Sequence, residues 1–182
     1  VGLTDRLLRR TAAPAGSTGA LEVGEEVLAV AGVRAGYLVA TRLGVWVPGD
    51  GDAQGDAQGD APLRVRWELV SKATWDGETL ELTVSEETGT AGAAVLLVDV
   101  LVRSYALADP GALPQVVHQR VTGSVRSSHR RELPGGGAWF VQRSVPGRDG
   151  VVLQVRVDPG TDLDVVTDIA AAVASHLPGG AA

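Results

Sequence analysis

Arg120, Arg126, His129, Arg130 and Arg131 form the one dense concentration of positive charge in the chain. Guanidinium groups gathered in this way can hold an oxyanion or an acidic peptide, because each offers a planar fork of donors that matches a carboxylate or phosphate. The plainer alternative is a solvated strand edge whose charges discourage pairing between sheets. A second candidate is the insert 49–61, in which Asp50, Asp52, Asp56 and Asp60 recur in a near-repeat of Gly-Asp-Ala-Gln. Asp50, Asp52, Gln54, Gly55 and Asp56 follow the opening half of an EF-hand loop, but Ala61 stands where the closing bidentate acid belongs. A solvated hairpin loop is therefore expected rather than a calcium site. His118, His129 and His176 share no spacing that would put two ligands on one helix face, and the chain has no cysteine, so no metal site is expected.

No nucleophile elbow and no P-loop occur, and Pro134-Gly135-Gly136-Gly137 neither matches a dinucleotide fingerprint nor opens a helix. No catalytic residue and no cofactor are assigned, and a non-enzymatic protein is expected. An enzyme of unrecognised type remains the alternative, and a pocket joining His118 or His129 to a carboxylate would be its mark.

The elements that must position these residues are legible from periodicity. Strand signals run over 26–31, 36–41 and 44–48, the last two joined tightly through Arg42 and Leu43. Leu63, Val65 and Trp67 alternate with charged residues, and Asp76-Gly77 supplies a hairpin turn between strands at 71–75 and 80–85. The apolar run 93–102 reads as a strand covered on both faces. A short turn from Asp109-Pro110 then leads into a helix with a stripe of Leu113, Val116, Val117, Val121 and Val125. Strands follow at 129–133, 138–145 and 151–157. A final helix is marked by a near capping box at Thr161 and Asp164 and by a stripe of Leu163, Val166, Ile169, Val173 and Leu177. Trp46, Trp67, Trp75 and Trp139 are read as core residues rather than a ligand groove.

The chain has 182 residues, 45% hydrophobic and 21% charged, which suits one folded body without staples. A net charge of -6 disfavours nucleic acid as a partner. The longest apolar run carries Asp99 and stops at Arg103, too short to span a bilayer, so no transmembrane segment is expected. A short basic helix at 3–11 is expected, with no apolar signal segment after it, and with no cysteine the simplest location is cytoplasmic.

Seven strands followed by a helix is the element order of the pleckstrin-homology (PH) superfold. The stretches 36–42, 65–70, 73–76 and 109–125 resemble an uncharacterised actinobacterial protein family with a PH-like domain. The resemblance implies an α+β fold in which a seven-stranded bent antiparallel barrel is capped by a helix. A βββα appendage follows. The expected division is an N-terminal helix and linker at 1–20, the PH-like domain at 21–126, the appendage packed on it at 127–178, and a disordered tail at 179–182. PH domains that bind phosphoinositides use basic residues around their first hairpin. Here that hairpin offers only Arg34 and Arg42, so inositol-lipid binding is not implied. The expected role is a protein- or peptide-binding scaffold, possible also as a homodimer, using an open sheet edge beside the 113–125 helix. The alternative is a peripheral anion or lipid-headgroup binder through the arginine cluster.

Overall fold

The structure is a computed structural model that describes residues 12–49, 61–147 and 150–177. The expected helix at 3–11, the aspartates of the insert and the tail lie outside the described residues. The protein is α+β, with strands dominating and two α-helices. Its residues divide into two compact units interleaved along the chain, one comprising 1–66, 75–80 and 104–117, the other 67–74, 81–103 and 118–182.

The first unit holds a four-stranded antiparallel meander, β1 (Val27–Val33), β2 (Gly36–Thr41), β3 (Gly44–Val47) and β4 (Leu63–Arg66). The tight link expected between β2 and β3 is present, and Thr41 shapes it: its Oγ1 accepts hydrogen bonds from the Leu43 and Gly44 N–H groups, both at 3.2 Å. Only glycine fits at 44, because a Cβ there would lie 2.4 Å from the Val65 carbonyl oxygen. Leu38, Val39, Val45 and Val47 are wholly buried.

Beyond β4 a short 3-10 turn, Trp67–Leu69, leads into β5 (Val70–Trp75). Trp67 thus ends an alternating stretch without belonging to the strand, and it is 2% exposed. β6 (Thr79–Ala91) and β7 (Ala94–Ala106) follow, joined by two residues, a length that permits only an antiparallel hairpin. Next come α1 (Leu113–Gly123), β8 (Val125–Leu133), β9 (Gly136–Arg143), β10 (Val152–Val157) and α2 (Leu163–Ser175). In α1, Pro114 occupies the first turn, where a missing N–H costs nothing, and Leu113, Val117 and Val121 are buried as their spacing predicts.

β5 to β10 make one six-stranded sheet in the order β5-β6-β7-β10-β9-β8. β10 runs antiparallel to β9 but parallel to β7, with Gln154 to Val157 opposite Val95 to Val98. Residue 127, the expected start of the appendage, falls inside β8, and the strands after α1 continue the sheet begun by β6 and β7.

In the second unit the sheet has a covered apolar face. Ala91, Ala94, Leu96, Ala138, Phe140, Leu153, Val155 and Val157 pack with Val166, Ala170 and Ala174 of α2. Two readings of this region need correction. The run 93–102 is not covered on both faces: β7 is buried in its first half, but Val100, Leu101 and Val102 are 47%, 41% and 56% exposed. β10 ends at Val157, opposite Val98, so the rest of β7 loses that neighbour. The α2 stripe holds except at its start: Val166 is buried and Ile169, Val173 and Leu177 pack half-buried against the core, whereas Leu163 is 59% exposed, and the deepest positions include Ala170 and Ala174, where small side chains let the helix approach the sheet.

The capping residue differs as well. Asp162, not Thr161, is the N-cap of α2, accepting from the N–H groups of Asp164 and Val165. Thr161 instead ties the loop before α2 to the β8–β9 turn. Its Oγ1 accepts from the Gly137 N–H at 3.0 Å and donates toward the Asp158 carbonyl at 2.8 Å. Gly135 completes this contact: its φ is +80° and a Cβ would sit 2.2 Å from the Gly160 carbonyl oxygen.

Candidate functional site

The residues of the arginine cluster come to lie on two elements. Arg120 is half-buried on α1, whereas Arg126, His129, Arg130 and Arg131 are exposed on β8. Among the described residues β8 is a terminal strand of its sheet and is hydrogen-bonded only to β9. Successive residues of a strand face opposite ways, so His129 and Arg131 share one face and Arg130 takes the other. Arg130 is already committed: Nη1 reaches Asp158 Oδ2 at 2.6 Å and Nε reaches Glu132 Oε1 at 2.9 Å. Those bonds, Asp158 first, raise its pKa above the ordinary arginine value. Arg126 Nε donates to Ser144 Oγ at 3.1 Å.

His118 is exposed on α1, His129 is exposed on β8, and His176 is the C-cap of α2 with Nδ1 2.7 Å from the Ala172 carbonyl oxygen. Among the described residues no group of three or more His, Asp or Glu side chains is placed to hold a metal ion. Trp46 and Trp67 are core residues and Trp75 is half-buried. Trp139 is the exception to the core reading, because it is half-buried on the wall of a cavity.

That cavity lies on the face of the six-stranded sheet opposite α2. Alternation along each strand generates it: while Phe140, Leu153, Val155 and Leu96 turn toward α2, their neighbours Trp139, Val141, Gln154, Arg156 and Leu97 turn the other way. Arg143 of β9 joins them, 4% exposed. The 3-10 turn and the start of β5 form another wall, and polar side chains bind their backbone. Arg143 Nη1 donates to the carbonyls of Trp67 (3.0 Å) and Val70 (3.3 Å), and Gln154 Nε2 donates to that of Glu68 (3.1 Å). Arg156 Nη1 reaches the Ser71 carbonyl at 3.4 Å. A single 3-10 turn leaves carbonyls without helical partners, and these side chains supply the missing donors.

The ionic surroundings are specific. Arg156 stands over the Trp139 ring, 5.9 Å from its centroid, and its Nε is 3.6 Å from Asp99 Oδ2. Ser85, 1% exposed, donates to the other Asp99 oxygen at 2.6 Å. Burial lowers the pKa of Arg143 below the usual guanidinium value, with the nearby Glu68 charge opposing that shift and Arg156 adding to it. Arg143 stays cationic at neutral pH all the same. Its Nε is buried and has no hydrogen-bond partner among the described residues.

Glu25, in the first unit, shows how a saturated site differs. Its buried carboxylate accepts from Thr41 Oγ1 (2.6 Å), the Glu22 N–H (2.9 Å), Arg64 Nη1 (2.8 Å) and Trp46 Nε1 (3.4 Å). Arg64 also pairs with Glu22 and lies over the Trp46 ring, 5.6 Å from its centroid. Every lone pair is used, so this cluster fastens the segment before β1 to β2, β3 and β4.

Sequence reasoning missed Arg143, Gln154 and Arg156. Each stands on the polar side of an alternating strand, which ordinarily means a solvated face. The one available signal was that Gln154 and Arg156 interrupt a valine-rich strand late in the chain. No family model, curated protein or solved structure matches this chain.

Proposed function

We propose that this protein is a non-enzymatic, cytoplasmic PH-like module that binds an extended acidic segment of another protein along β8. The PH-like reading is supported by seven strands before α1, with β1 to β4 consecutive neighbours in one sheet and β5 to β7 consecutive neighbours in a second. The observation that carries the binding reading is the state of β8: nine residues long, paired on one side only among the described residues, with Arg126, His129 and Arg131 displayed on it. A partner strand added there would gain main-chain hydrogen bonds for affinity and charge contacts for selectivity. Engagement of Arg130 by Glu132 and Asp158 argues against the alternative of a free headgroup cradle made from the whole cluster. Among the described residues no helix is long and apolar enough to cross a membrane.

Selection of a random peptide library on the full chain tests this reading. The enriched peptides should be acidic and rich in β-branched residues, and in a backbone NMR titration they should shift the amides of 125–133. Arg126→Glu combined with Arg131→Glu should weaken them about tenfold or more at low salt. Enrichment of basic or uncharged helical peptides would overturn the assignment.

A further inference from the structure

We propose that the cavity between the 3-10 turn and the polar face of the six-stranded sheet receives one neutral, apolar side chain of the segment that β8 accepts, so that the partner carries an apolar residue between two acidic ones. The subsite rests on β8 being a strand acceptor, as proposed above, and adds the order of side chains along the partner.

The sheet brings the cavity to this edge by curling. β5 and β10 stand three places apart in the strand order, about 14 Å if the sheet were flat. Yet Arg156 of β10 reaches the Ser71 carbonyl of β5 at 3.4 Å. The space left inside the curl is deep at Ser85, Arg143 and Gln154, which are 1%, 4% and 5% exposed, and opens at Ser128 on β8, which is exposed. Ser128 lies opposite Val141 of β9, and His129 opposite Phe140. Val141 lines the cavity and Phe140 packs toward α2. A strand added beyond β8 keeps that alternation. Its residue beside Ser128 turns to the cavity, and the residues before and after it turn to the face of His129 and Arg131, where acidic side chains meet the Arg131 charge.

The wall selects a neutral side chain. Its charges are matched, Arg156 by Asp99 and Arg143 by the nearby Glu68, so a charged side chain would be buried without a counterion. Its polar groups are engaged as well: Ser71 donates to the Thr83 carbonyl at 3.3 Å, Ser85 to Asp99, and Gln154 to the Glu68 carbonyl. What remains for an incoming group is the apolar surface of Leu97, Val125, Val141 and the Trp139 ring. The cavity volume, about 150 Å³, suits a body no larger than benzene, a space that a leucine or valine side chain fills.

Calorimetry and NMR on the full chain test this with nonapeptides that alternate threonine and glutamate, the central residue being leucine, alanine or aspartate between two glutamates. The leucine peptide should bind at least tenfold more tightly than the other two, and its leucine methyls should show NOEs to the methyls of Val125 and Val141. Val141→Phe, which fills the cavity, should bring the leucine peptide down to the affinity of the alanine one while both still slow amide exchange along β8. Equal affinity of the three peptides for a protected β8 would overturn the subsite and leave the strand acceptor standing, whereas failure of every peptide to slow the β8 amides would overturn both. A leucine preference that survives Val141→Phe would place the side chain elsewhere and overturn the location. Should that variant fail to fold, the wild-type NOEs decide, because a leucine preference without contacts to Val125 or Val141 would equally overturn it.

Discussion

Arg143 and Glu25 are both buried ionic groups, yet they differ in what remains to be satisfied. Glu25 accepts from every direction, and its pKa reflects the balance. Burial alone would raise it, but the bonds from Thr41 and the Glu22 N–H, the Arg64 charge and Trp46 together bring it below the ordinary 4.5. A carboxyl whose folded pKa lies below its unfolded value contributes stability above the unfolded pKa and loses it as pH falls through the folded one. Wild-type protein should thus lose more stability than Glu25→Gln between about pH 6 and about pH 3, and thermal melts across that range would check it. At neutral pH Glu25→Gln should cost about 1–3 kcal/mol, because Arg64 and Thr41 would face a poorer acceptor. Neither Glu25 nor Arg143 could be singled out from sequence. Glu25 sits in a polar stretch ahead of a strand, and only folding brings Thr41, Trp46 and Arg64 around it.

Elements were far more legible than their faces. Strand periodicity and turn chemistry located β2 at 36–41, the Asp76-Gly77 hairpin and the helix from Leu113, because each rests on local sterics and hydrogen bonding. What local pattern could not reveal is which side of an element meets a neighbour. In α2 the large apolar residues at 166, 169, 173 and 177 do meet the core, but Leu163 does not, and the closest approach to the sheet is made by Ala170 and Ala174, which the stripe left out. Ala170→Leu should therefore destabilise by about 1–3 kcal/mol through overpacking. Leu163→Ala, at a 59% exposed position, should change stability by no more than about 0.5 kcal/mol. Denaturant unfolding of the pair would show whether Ala170 and not Leu163 faces the sheet. Thr161→Val should cost about 1–2 kcal/mol, since the buried Gly137 N–H would lose its acceptor. A substitution that acted only as loss of a helix cap would instead lower α2 helicity and leave the β8–β9 turn unchanged.

At the scale of the molecule, the parallel ladder between β7 and β10 was the feature least visible in the sequence, because no local signal tells a strand which distant strand it will join. Its consequence is testable. A fragment ending at residue 127 would strip β10 from β7 and remove α2 from Ala91, Ala94 and Leu96, so residues 20–127 alone should not reproduce the cooperative melt of the full chain. A fragment that melts like the intact protein would show the later strands to be dispensable. The composition reads as that of a folded, acidic protein, and nothing in the sequence names its partner, since an edge strand advertises a mode of binding and not an identity. The central claim is that β8 accepts a strand, and amide hydrogen exchange with and without a library-selected acidic peptide tests it most directly. The account predicts slowed exchange at alternate amides within 125–133 while the ladder between β9 and β10 is unchanged. A peptide that binds tightly yet slows no amide of β8 would contradict it.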